Sequence, residues 1–484
     1  MEKYFEIISG YVWSYALIGL CIFSGVYFTI RTGFLQFRYL KSMVRLLFSG
    51  GNSAQGISPF QAFSLAISGR VGTGNIIGVA SAISFGGPGA VFWMWVIALL
   101  GATSAFAEAT LGQVYKQEIK GQYRGGPAYY IEKGLGIKWY AVFFALVAIL
   151  SCGFLLPGIQ SNSIVTSLNQ SVQIPNVNIA GYEVHTVGVA IIILVSIIIF
   201  GGVKRLGKVT QIIVPFMAVS YIVMVLIIIG MHFSQIPDVF MLIIDAAFSS
   251  ESIYAGITGS AIAWGVKRGI YSNEAGQGTA PHAAAASEVK HPVEQGLVQA
   301  FSVYVDTLFI CTATAFMILF TGKYNVIDEK TEIAIVEKIP SVEYSFFTQE
   351  ALNIHFPVIG SHFVALALFF FAFTTILAYY YYAETNIAYI FKGKRNAQLY
   401  IWILRIGFLY GVYMGAIKEA KLAWTVGDIG VGLMAWVNVV AILLLSGVVI
   451  RVWKDYVSQR KKDIKNPIFD PKKSNIKNSD FWNP

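Results

Sequence analysis

Long apolar windows separated by short polar segments recur along the chain, and this pattern predicts membrane-spanning helices. Each window holds about 20 residues or more, the length that an α-helix needs to cross the hydrocarbon core of a bilayer. The predicted spans are residues 11–30, 58–83, 88–114, 139–160, 184–203, 210–232, 256–286, 296–321, 358–391, 398–417 and 424–450. We therefore expect an all-α polytopic membrane protein with about 11 transmembrane helices.

Two of these windows are interrupted by glycines and polar residues. The first contains the run from Ser68 to Gly78, and the second contains the run from Trp264 to Thr279. A broken backbone inside a membrane is tolerated only where protein or a polar cavity satisfies the freed N–H and C=O groups. Such breaks are typical of transporter binding sites. We predict breaks near residues 69–74 and 272–278.

The breaks divide the spans into two blocks of five, and each block opens with its interrupted helix. An odd number of spans per block gives the second block the opposite orientation, which is the layout of an inverted-topology repeat. We predict an extra N-terminal helix and cytoplasmic loop over residues 1–57. The first repeat then covers 58–232, the second covers 233–450, and a basic cytoplasmic tail covers 451–484. This tail is expected to become disordered near the lipid headgroups.

Lysine and arginine are concentrated in alternate loops and in the C-terminal tail. Because cytoplasmic loops carry an excess of these residues, the pattern predicts an N-terminus outside the cell membrane and a C-terminus in the cytoplasm. Residues 161–183 and 322–357 then form long extracellular loops.

Composition supports the membrane assignment and excludes other classes. Of the 484 residues, 56% are hydrophobic and 13% are charged, about half the charged fraction of soluble proteins. The net charge of +9 follows from the loop bias and does not indicate nucleic acid. No Walker-type GxxxxGK[ST], GxSxG or HExxH motif occurs, so neither ATP-driven transport nor an enzyme with catalytic residues is expected. No organic cofactor is expected either.

The first break offers groups for both ends of an amino acid. A helix starting near Thr73, Gly74 and Asn75 points free N–H groups and a positive dipole end at the cavity, which suits a carboxylate. A helix ending between Ser68 and Val71 leaves free carbonyls, which suit a cation or an ammonium group.

Glycine in this run also has a packing explanation. Gly72 and Gly74 would let a ligand approach the backbone closely, whereas Gly74 and Gly78 have the spacing of a helix-packing motif. Packing alone does not call for Arg70 and Asn75, so a functional interpretation is preferred for the run.

In the second break, Asn273 and Gln277 are candidates for hydrogen bonds to substrate. Glu274 is expected to pair with one of three cations and hold the break together: Lys267, Arg268 or Arg70. Two alternatives stay open. The charged residues could form a purely structural salt-bridge network, or residues 264–278 could be an extramembrane loop.

Isolated polar residues mark three further spans. Glu108 could brace an unwound backbone, carry a proton or bind a cation, and we favour the brace. Asp306 could ligate a cation or accept hydrogen bonds from neighbouring helices. Thr374 and Thr375 form a hydroxyl pair that a small hard cation accepts, unless each hydroxyl bonds back to its own helix. The run Tyr379–Tyr382 is interpreted as an interfacial aromatic belt.

The chain resembles the alanine/glycine:cation symporter family, also called sodium:alanine symporters, over nearly its whole length. Three runs carry the resemblance: Ser-Gly-Arg-Val-Gly-Thr-Gly-Asn-Ile at 68–76, Tyr-Arg-Gly-Gly-Pro-Ala-Tyr-Tyr-Ile at 123–131, and Lys-Arg-Gly-Ile-Tyr-Ser-Asn-Glu-Ala-Gly-Gln-Gly-Thr-Ala at 267–280. The resemblance implies the leucine-transporter (LeuT) fold with its five-plus-five inverted repeat.

The resemblance also implies roles for individual residues. Amides of Thr73 and Gly74 would hold the substrate carboxylate, and a second sodium could lie beside Asn75. The implied sodium ligands are Ser68, Val71, Thr374 and Thr375. The candidate substrate-binding set is Gly72, Thr73, Gly74, Asn75, Asn273, Gly276 and Gln277. The supporting or coupling set is Arg70, Glu108, Glu274 and Asp306.

These observations predict a symporter that imports alanine or glycine with sodium as the coupling ion. A proton-coupled transporter of the same fold is an alternative, with Glu108, Glu274 or Asp306 as the proton carrier. A channel or membrane receptor is a further alternative, and a membrane enzyme is more remote. A channel cannot concentrate substrate, so accumulation against a gradient distinguishes it from a symporter.

Overall fold

The computed structural model describes residues 2–49, 55–172, 174–179, 182–248, 254, 257–329, 331, 333–417 and 420–482. The helices are α1 (Glu2–Val12), α2 (Tyr15–Arg31), α3 (Leu35–Arg38), α4 (Leu40–Leu47), α5 (Pro59–Arg70), α6 (Val79–Gly86), α7 (Gly89–Val114), α8 (Pro127–Tyr130), α9 (Lys138–Leu150), α10 (Leu156–Ser171), α11 (Thr186–Ile199), α12 (Gly202–Met231), α13 (Ile236–Phe248), α14 (Thr258–Asn273), α15 (Ala280–Ala286), α16 (Pro292–Val303), α17 (Thr312–Thr321), α18 (Phe347–Asn353), α19 (Ile359–Ile390), α20 (Ala397–Ile417), α21 (Ala420–Leu444) and α22 (Ser446–Lys461).

Short strands, wider helical turns and three 3-10 turns (Phe233–Gln235, Tyr344–Phe346 and Asp480–Trp482) complete the described structure. Three antiparallel hairpins lie between helices: β1 (Gln117–Ile119) with β2 (Gln122–Arg124), β3 (Val177–Ile179) with β4 (Tyr182–Val184), and β5 (Asn325–Ile327) with β6 (Ala334–Glu337). Four π-helical segments continue neighbouring α-helices: Gly74–Gly78, Ile131–Leu135, Ser151–Leu155 and Tyr304–Cys311. Such segments often occur at functional sites.

Eight helical stretches among the described residues are long and apolar enough to cross a membrane. They are Lys3–Arg31, Gly89–Val114, Lys138–Ser171, Gly202–Met231, Pro292–Thr321, Ile359–Ile390, Ala397–Ile417 and Lys421–Leu444. The other three predicted spans, 58–83, 184–203 and 256–286, fall on shorter helices. The chain is therefore a mostly helical polytopic membrane protein.

The helices pack around α7, which contacts α2, α14, α15 and α16. A second group of helices forms around α19, which packs against α5, α10 and α12. Outward-facing apolar side chains of α12, such as Ile212 at 69% exposure and Phe216 at 59%, have the character of a lipid-facing surface. Residues at the two breaks, in contrast, are buried throughout.

Residues 161–183 do not form the long loop that the sequence predicts, because α10 continues to Ser171. Its polar residues are buried against α20. Ser161 Oγ donates to the Val412 carbonyl, and Asn162 Nδ2 donates to the Gly415 carbonyl at 3.2 Å. Partners on a neighbouring helix make these polar residues compatible with a helix interior.

The aromatic belt predicted at Tyr379–Tyr382 is also wrong, since all four side chains are at most 2% exposed. Tyr380 donates its hydroxyl to Glu384 at 2.6 Å, and Tyr381 donates to the His282 carbonyl at 3.3 Å. Buried tyrosines usually need such partners, so this run belongs to the protein interior.

The C-terminal tail is ordered where disorder was expected. After α22 the chain turns and packs against the helices, with Phe469 and Ile476 each 5% exposed. Trp482 Nε1 donates to the Gln113 carbonyl at 2.9 Å. Apolar and aromatic residues within a basic tail thus find a surface to bury against.

Candidate functional site

The first break lies where the sequence predicts it. Helix α5 is capped at Ser58 by a reciprocal pair of bonds with Gln61 and ends at Arg70. Val71 is extended, with φ −79° and ψ 92°, and the backbone becomes helical again at Thr73. Backbone groups between these residues are therefore free to bind something other than their own helix.

Two carbonyl oxygens released by this break, and one of α19 itself, lie beside the hydroxyl of Thr375. Its Oγ1 lies 2.8 Å from the Ser68 oxygen, 3.2 Å from the Val71 oxygen and 2.9 Å from the Phe371 oxygen. A hydroxyl has one proton to donate, so these four oxygens exceed what a single hydrogen bond can satisfy. The structure brings together three of the four predicted sodium ligands.

Thr374, the fourth predicted ligand, points elsewhere. Its Oγ1 donates within α19, to the oxygens of Phe370 at 2.9 Å and Phe371 at 3.0 Å. It also lies 3.8 Å from the Met217 sulfur. The alternative of a hydroxyl that bonds back to its own helix therefore describes Thr374 in this conformation. Thr375 has such a bond too, to the Phe371 oxygen, but it alone also contacts Ser68 and Val71.

One of the two amides predicted to hold a carboxylate has an acceptor in the protein: Thr73 N donates to Gln160 Oε1 at 3.1 Å. The neighbouring Gly72 N donates to Asn75 Oδ1 at 2.8 Å. A carboxamide oxygen thus lies where an anionic oxygen would accept the Thr73 N–H. A Cβ built on Gly74 would meet the Tyr271 ring at 3.0 Å, so the space beside this backbone is narrow.

Asn75 connects the first break to a polar cluster around Asp306. Its Nδ2 donates to Asp306 Oδ1 at 2.6 Å. Ser272 Oγ donates to the same carboxylate at 3.0 Å, and Thr307 Oγ1 donates at 2.7 Å. Asp306 is fully buried, and within the part of the chain that is described no lysine, arginine or histidine forms an ion pair with it.

The second break runs from Glu274 to Thr279, between α14 and α15. Glu274, Gly276 and Gly278 have φ of 54°, 84° and 83°. For the two glycines this left-handed backbone carries little steric cost. The predicted unwinding at 272–278 is thus confirmed with a shift of about two residues.

Glu108 braces this second break, as expected. Its Oε2 accepts from Gly278 N at 3.1 Å and from Asn438 Nδ2 at 2.8 Å. Asn438 Nδ2 also donates to the Gly276 oxygen at 2.9 Å. The unwound backbone is therefore held by side chains from α7 and α21, which replaces the lost helical hydrogen bonds.

Asn273 and Gln277, predicted to contact substrate, bond to protein groups. Asn273 Oδ1 accepts from Ala275 N at 3.0 Å, and its Nδ2 donates to Thr307 Oγ1 at 3.3 Å. Gln277 Nε2 donates to the Ile270 carbonyl at 2.6 Å. Its Oε1 is buried and has no partner among the described residues, which leaves one acceptor for a ligand.

Glu274 does not form the expected ion pair. Its Oε2 accepts from Thr279 Oγ1 at 2.9 Å. Arg70 donates instead to the Gln299 carbonyl at 3.0 Å and to the Ser302 hydroxyl. Arg70, at the edge of the first break, and Glu274, in the second break, are both buried.

Lys267 and Arg268 pair with Asp428 of α21, and we call these three residues the ion cluster. Lys267 Nζ lies 2.7 Å from Asp428 Oδ2, and Arg268 Nη1 lies 2.8 Å from Asp428 Oδ1. The Arg268 guanidinium also lies over the rings of Trp264, at 4.8 Å, and Trp424, at 4.9 Å. The structural-network alternative thus describes these two cations.

Three site residues were missed by sequence reasoning: Gln160, Asp428 and Asn438. Asp428 is a carboxylate inside a predicted span, which is the same signal that identifies Glu108 as a candidate. Gln160 is the last residue of a predicted span, a position where a polar side chain is ordinary and indicates no site. Asn438 is a single amide in an apolar helix, and nothing local connects it to a glycine 162 residues away.

Comparison with known proteins identifies the family. The model of the sodium:alanine symporter family matches residues 1–471. The "Putative sodium/proton-dependent alanine carrier protein YrbD" of Bacillus subtilis is 54% identical, over 100% of this chain and 98% of its own length. The sodium/proton-dependent alanine carrier protein of Bacillus sp. PS3 is 46% identical, over 91% of this chain and 97% of its own length. The "Probable sodium/glutamine symporter GlnT" of Bacillus subtilis is 42% identical, over 97% of this chain and 93% of its own length. This chain belongs to the sodium:alanine symporter family.

Proposed function

We propose that this protein is a secondary active symporter that imports alanine and glycine, coupled to a sodium gradient by alternating access. The observation that carries the proposal is the group of oxygens from Ser68, Val71 and Phe371 around Thr375 Oγ1. Carbonyl and hydroxyl oxygens are hard donors that suit a small hard cation. Sodium is then co-transported, and no organic cofactor or ATP takes part.

The substrate assignment rests on the neighbouring backbone. Thr73 follows Val71 by two residues, and its N–H donates to Gln160 Oε1. A substrate carboxylate would replace this carboxamide oxygen as the acceptor, and Gly74 would contribute its own amide. The narrow space beside Gly74 favours a small side chain, and the names of two relatives include alanine.

The transport cycle follows from the two breaks. Ion and substrate sites that share one break raise each other's affinity by the same factor. We propose the LeuT fold, with five-helix repeats at 58–232 and 233–450 that move against each other about this site. The N-terminus is placed outside the cell membrane and the C-terminus in the cytoplasm, following the charge alternation of the loops.

The test is uptake of labelled amino acid into proteoliposomes that contain the purified protein. An inward sodium gradient should accumulate alanine and glycine above the outside concentration, and potassium in place of sodium should abolish this. Glutamine in parallel distinguishes the alanine assignment from the activity in the name of the GlnT relative. Equilibration without accumulation would contradict symport and indicate a channel.

Proton coupling is a second candidate because Asp306 is buried with hydrogen bonds but no ion pair among the described residues. Intramembrane carboxylates of this kind serve as proton relays in pumps and transporters. Under this mechanism a proton gradient without sodium drives accumulation, and Asp306→Asn abolishes that accumulation. Sodium-driven uptake with no response to a proton gradient would exclude it.

A further inference from the structure

The last described segment of the chain packs against the end of α7 and the loop that follows α15. We call residues 463–482 the tail strap. It is fastened along its length: Phe469 N donates to the Lys290 oxygen at 3.0 Å, and Asn478 Nδ2 donates to the Lys133 oxygen at 3.0 Å. Lys133 Nζ also pairs with Asp480 at 2.9 Å. Lys133 and Lys290 both lie outside the predicted spans.

The end of the strap covers a buried lysine. Lys116 is 0% exposed, and its Nζ lies 4.3 Å from the centre of the Phe481 ring and 5.4 Å from that of Trp482. The Tyr123 ring lies on it at 4.6 Å. Cation–π contacts of this kind stabilise an ammonium that has lost its water. Burial nevertheless lowers the pKa of Lys116 to about 7, against the opposing charge of Glu288.

This covered lysine holds the end of α15. Lys116 Nζ donates to the Ser287 carbonyl at 2.9 Å, and Gln113 Nε2 donates to the same carbonyl at 2.8 Å. The backbone oxygen of Gln113 is in turn the acceptor of Trp482 Nε1 at 2.9 Å. The strap therefore contacts both residues, Gln113 and Lys116, that donate hydrogen bonds to the end of α15.

The end of α15 is tied to the start of α5. Ile57 N donates to the Ala286 oxygen at 3.0 Å, and Glu288 N donates to the Ile57 oxygen at 3.1 Å. We call these bonds, with those of Gln113 and Lys116, the carbonyl ties. Both broken segments are thus joined to each other on the side where α5 begins, which we call the strap side, and the strap contacts Gln113 and Lys116 beside this join.

We propose that the tail strap is a latch, a segment of this chain that keeps the strap side of the two broken helices closed and must detach before the site opens there. The Phe481 and Trp482 rings exclude water from Lys116, which keeps the carbonyl ties in a dry environment where hydrogen bonds are stronger. Detachment hydrates Lys116 and exposes the Ser287 carbonyl. The inference rests on the proposed transport function for its role, but detachment itself is measured without transport.

The first test measures access to Ser287, which is 0% exposed. Ser287→Cys is introduced into the full chain, where the three native cysteines are buried, and its labelling by a water-soluble maleimide is timed. Phe481→Ala with Trp482→Ala should raise the labelling rate about tenfold or more. Lys472→Ala with Lys477→Ala, two exposed positions in the same strap, is the matched control and should leave the rate unchanged. Equal rates in both pairs would overturn the latch.

The second test holds the strap in place and does not depend on the folding of the aromatic variant. Lys133→Cys with Asp480→Cys is bridged by a short bis-methanethiosulfonate reagent in proteoliposomes. Bridged protein should bind alanine but lose at least about tenfold of its alanine exchange rate, and reductant should restore it. Full exchange in the bridged protein would overturn the latch. Failure of unbridged protein to bind alanine would instead contradict the proposed function.

Discussion

The two broken segments are held together by different chemistry on their two sides. On the α14 side of the second break, the ion cluster places Lys267 and Arg268 on one carboxylate, Asp428, with side chains 15%, 4% and 4% exposed. Where α5 begins, hydrogen bonds to backbone carbonyls and the tail strap hold the start of α5 and the end of α15. One side therefore depends on a single residue, whereas the other distributes its stability over many weak contacts.

This difference implies that the two sides open at different cost. Separating the ion cluster leaves buried charges without partners, which water must solvate as they part. Separating the carbonyl ties exchanges hydrogen bonds within the protein for bonds to water. Each bond between neutral groups contributes only about 1 kcal/mol net, and the bond of the Lys116 ammonium about 1.5–3 kcal/mol. The strap side can therefore open stepwise, and the ion-cluster side has to open as a unit.

Asp428→Asn should produce the largest loss of stability, because it leaves two buried cations without their carboxylate. Removing one partner of a buried ion pair typically costs about 3–5 kcal/mol. The measurement is denaturant unfolding of purified protein in detergent. Lys421→Met, which removes an exposed ion pair with Glu6, is the control and should cost under about 1 kcal/mol. A small cost for Asp428→Asn would mean that the ion cluster does not hold this side.

Gln113→Leu should cost less than Asp428→Asn, about 2 kcal/mol, because it removes bonds to neutral carbonyls on the strap side. Its Nε2 donates to the oxygens of Ala284 and Ser287. The same unfolding experiment applies, together with maleimide labelling at Ser287→Cys, which should accelerate. If Gln113→Leu destabilised the protein as much as Asp428→Asn, the contrast between the two sides would be lost.

Lys116 should give the strap side a pH dependence. Its pKa in the folded protein is lowered to about 7 by burial, whereas a solvated lysine in the unfolded chain titrates near about 10.4. Between these values the unfolded chain binds the additional proton, so the free energy of unfolding rises with pH by up to about 1.4 kcal/mol per unit. Below about pH 7 both states are protonated and this contribution is constant.

The check is the unfolding free energy of the native protein and of Lys116→Met, measured from pH 6 to 9. The difference between them should be flat up to about pH 7 and then increase in favour of the native protein. Parallel curves for the two proteins would show that Lys116 keeps an ordinary pKa, and that the Phe481 and Trp482 rings do not exclude water from it.

Sequence reasoning located the breaks because their cause is local. Glycine and charged residues inside an apolar window cannot form an ordinary lipid-facing helix, and this is visible in Ser68–Gly78 without any partner. Glu108 as a brace followed from the same reasoning, since an intramembrane carboxylate needs hydrogen-bond donors. Thr375 could be placed beside Ser68 only through a family resemblance.

Contacts made by distant parts of the chain could not be predicted in this way. Asp428 lies 160 residues from Arg268, and no local pattern says which cation it will meet. Tyr379–Tyr382 is equally compatible with a membrane interface and with a core until the neighbouring helices are known. The tail was expected to be disordered from its charge, although Phe469, Phe481 and Trp482 gave a sign that it packs.

Reciprocal binding of alanine and sodium at the first break is the most direct test of the proposed symport. Alanine affinity is titrated against sodium, with potassium keeping the ionic strength fixed, for the native protein, Thr375→Val and Thr374→Val. In the native protein sodium should raise the affinity for alanine, and alanine should raise the affinity for sodium, by the same factor. Thr375→Val should lose about tenfold or more of sodium affinity, and Thr374→Val, whose hydroxyl bonds within α19, should lose much less. Alanine binding that is independent of sodium in the native protein would contradict the coupled site.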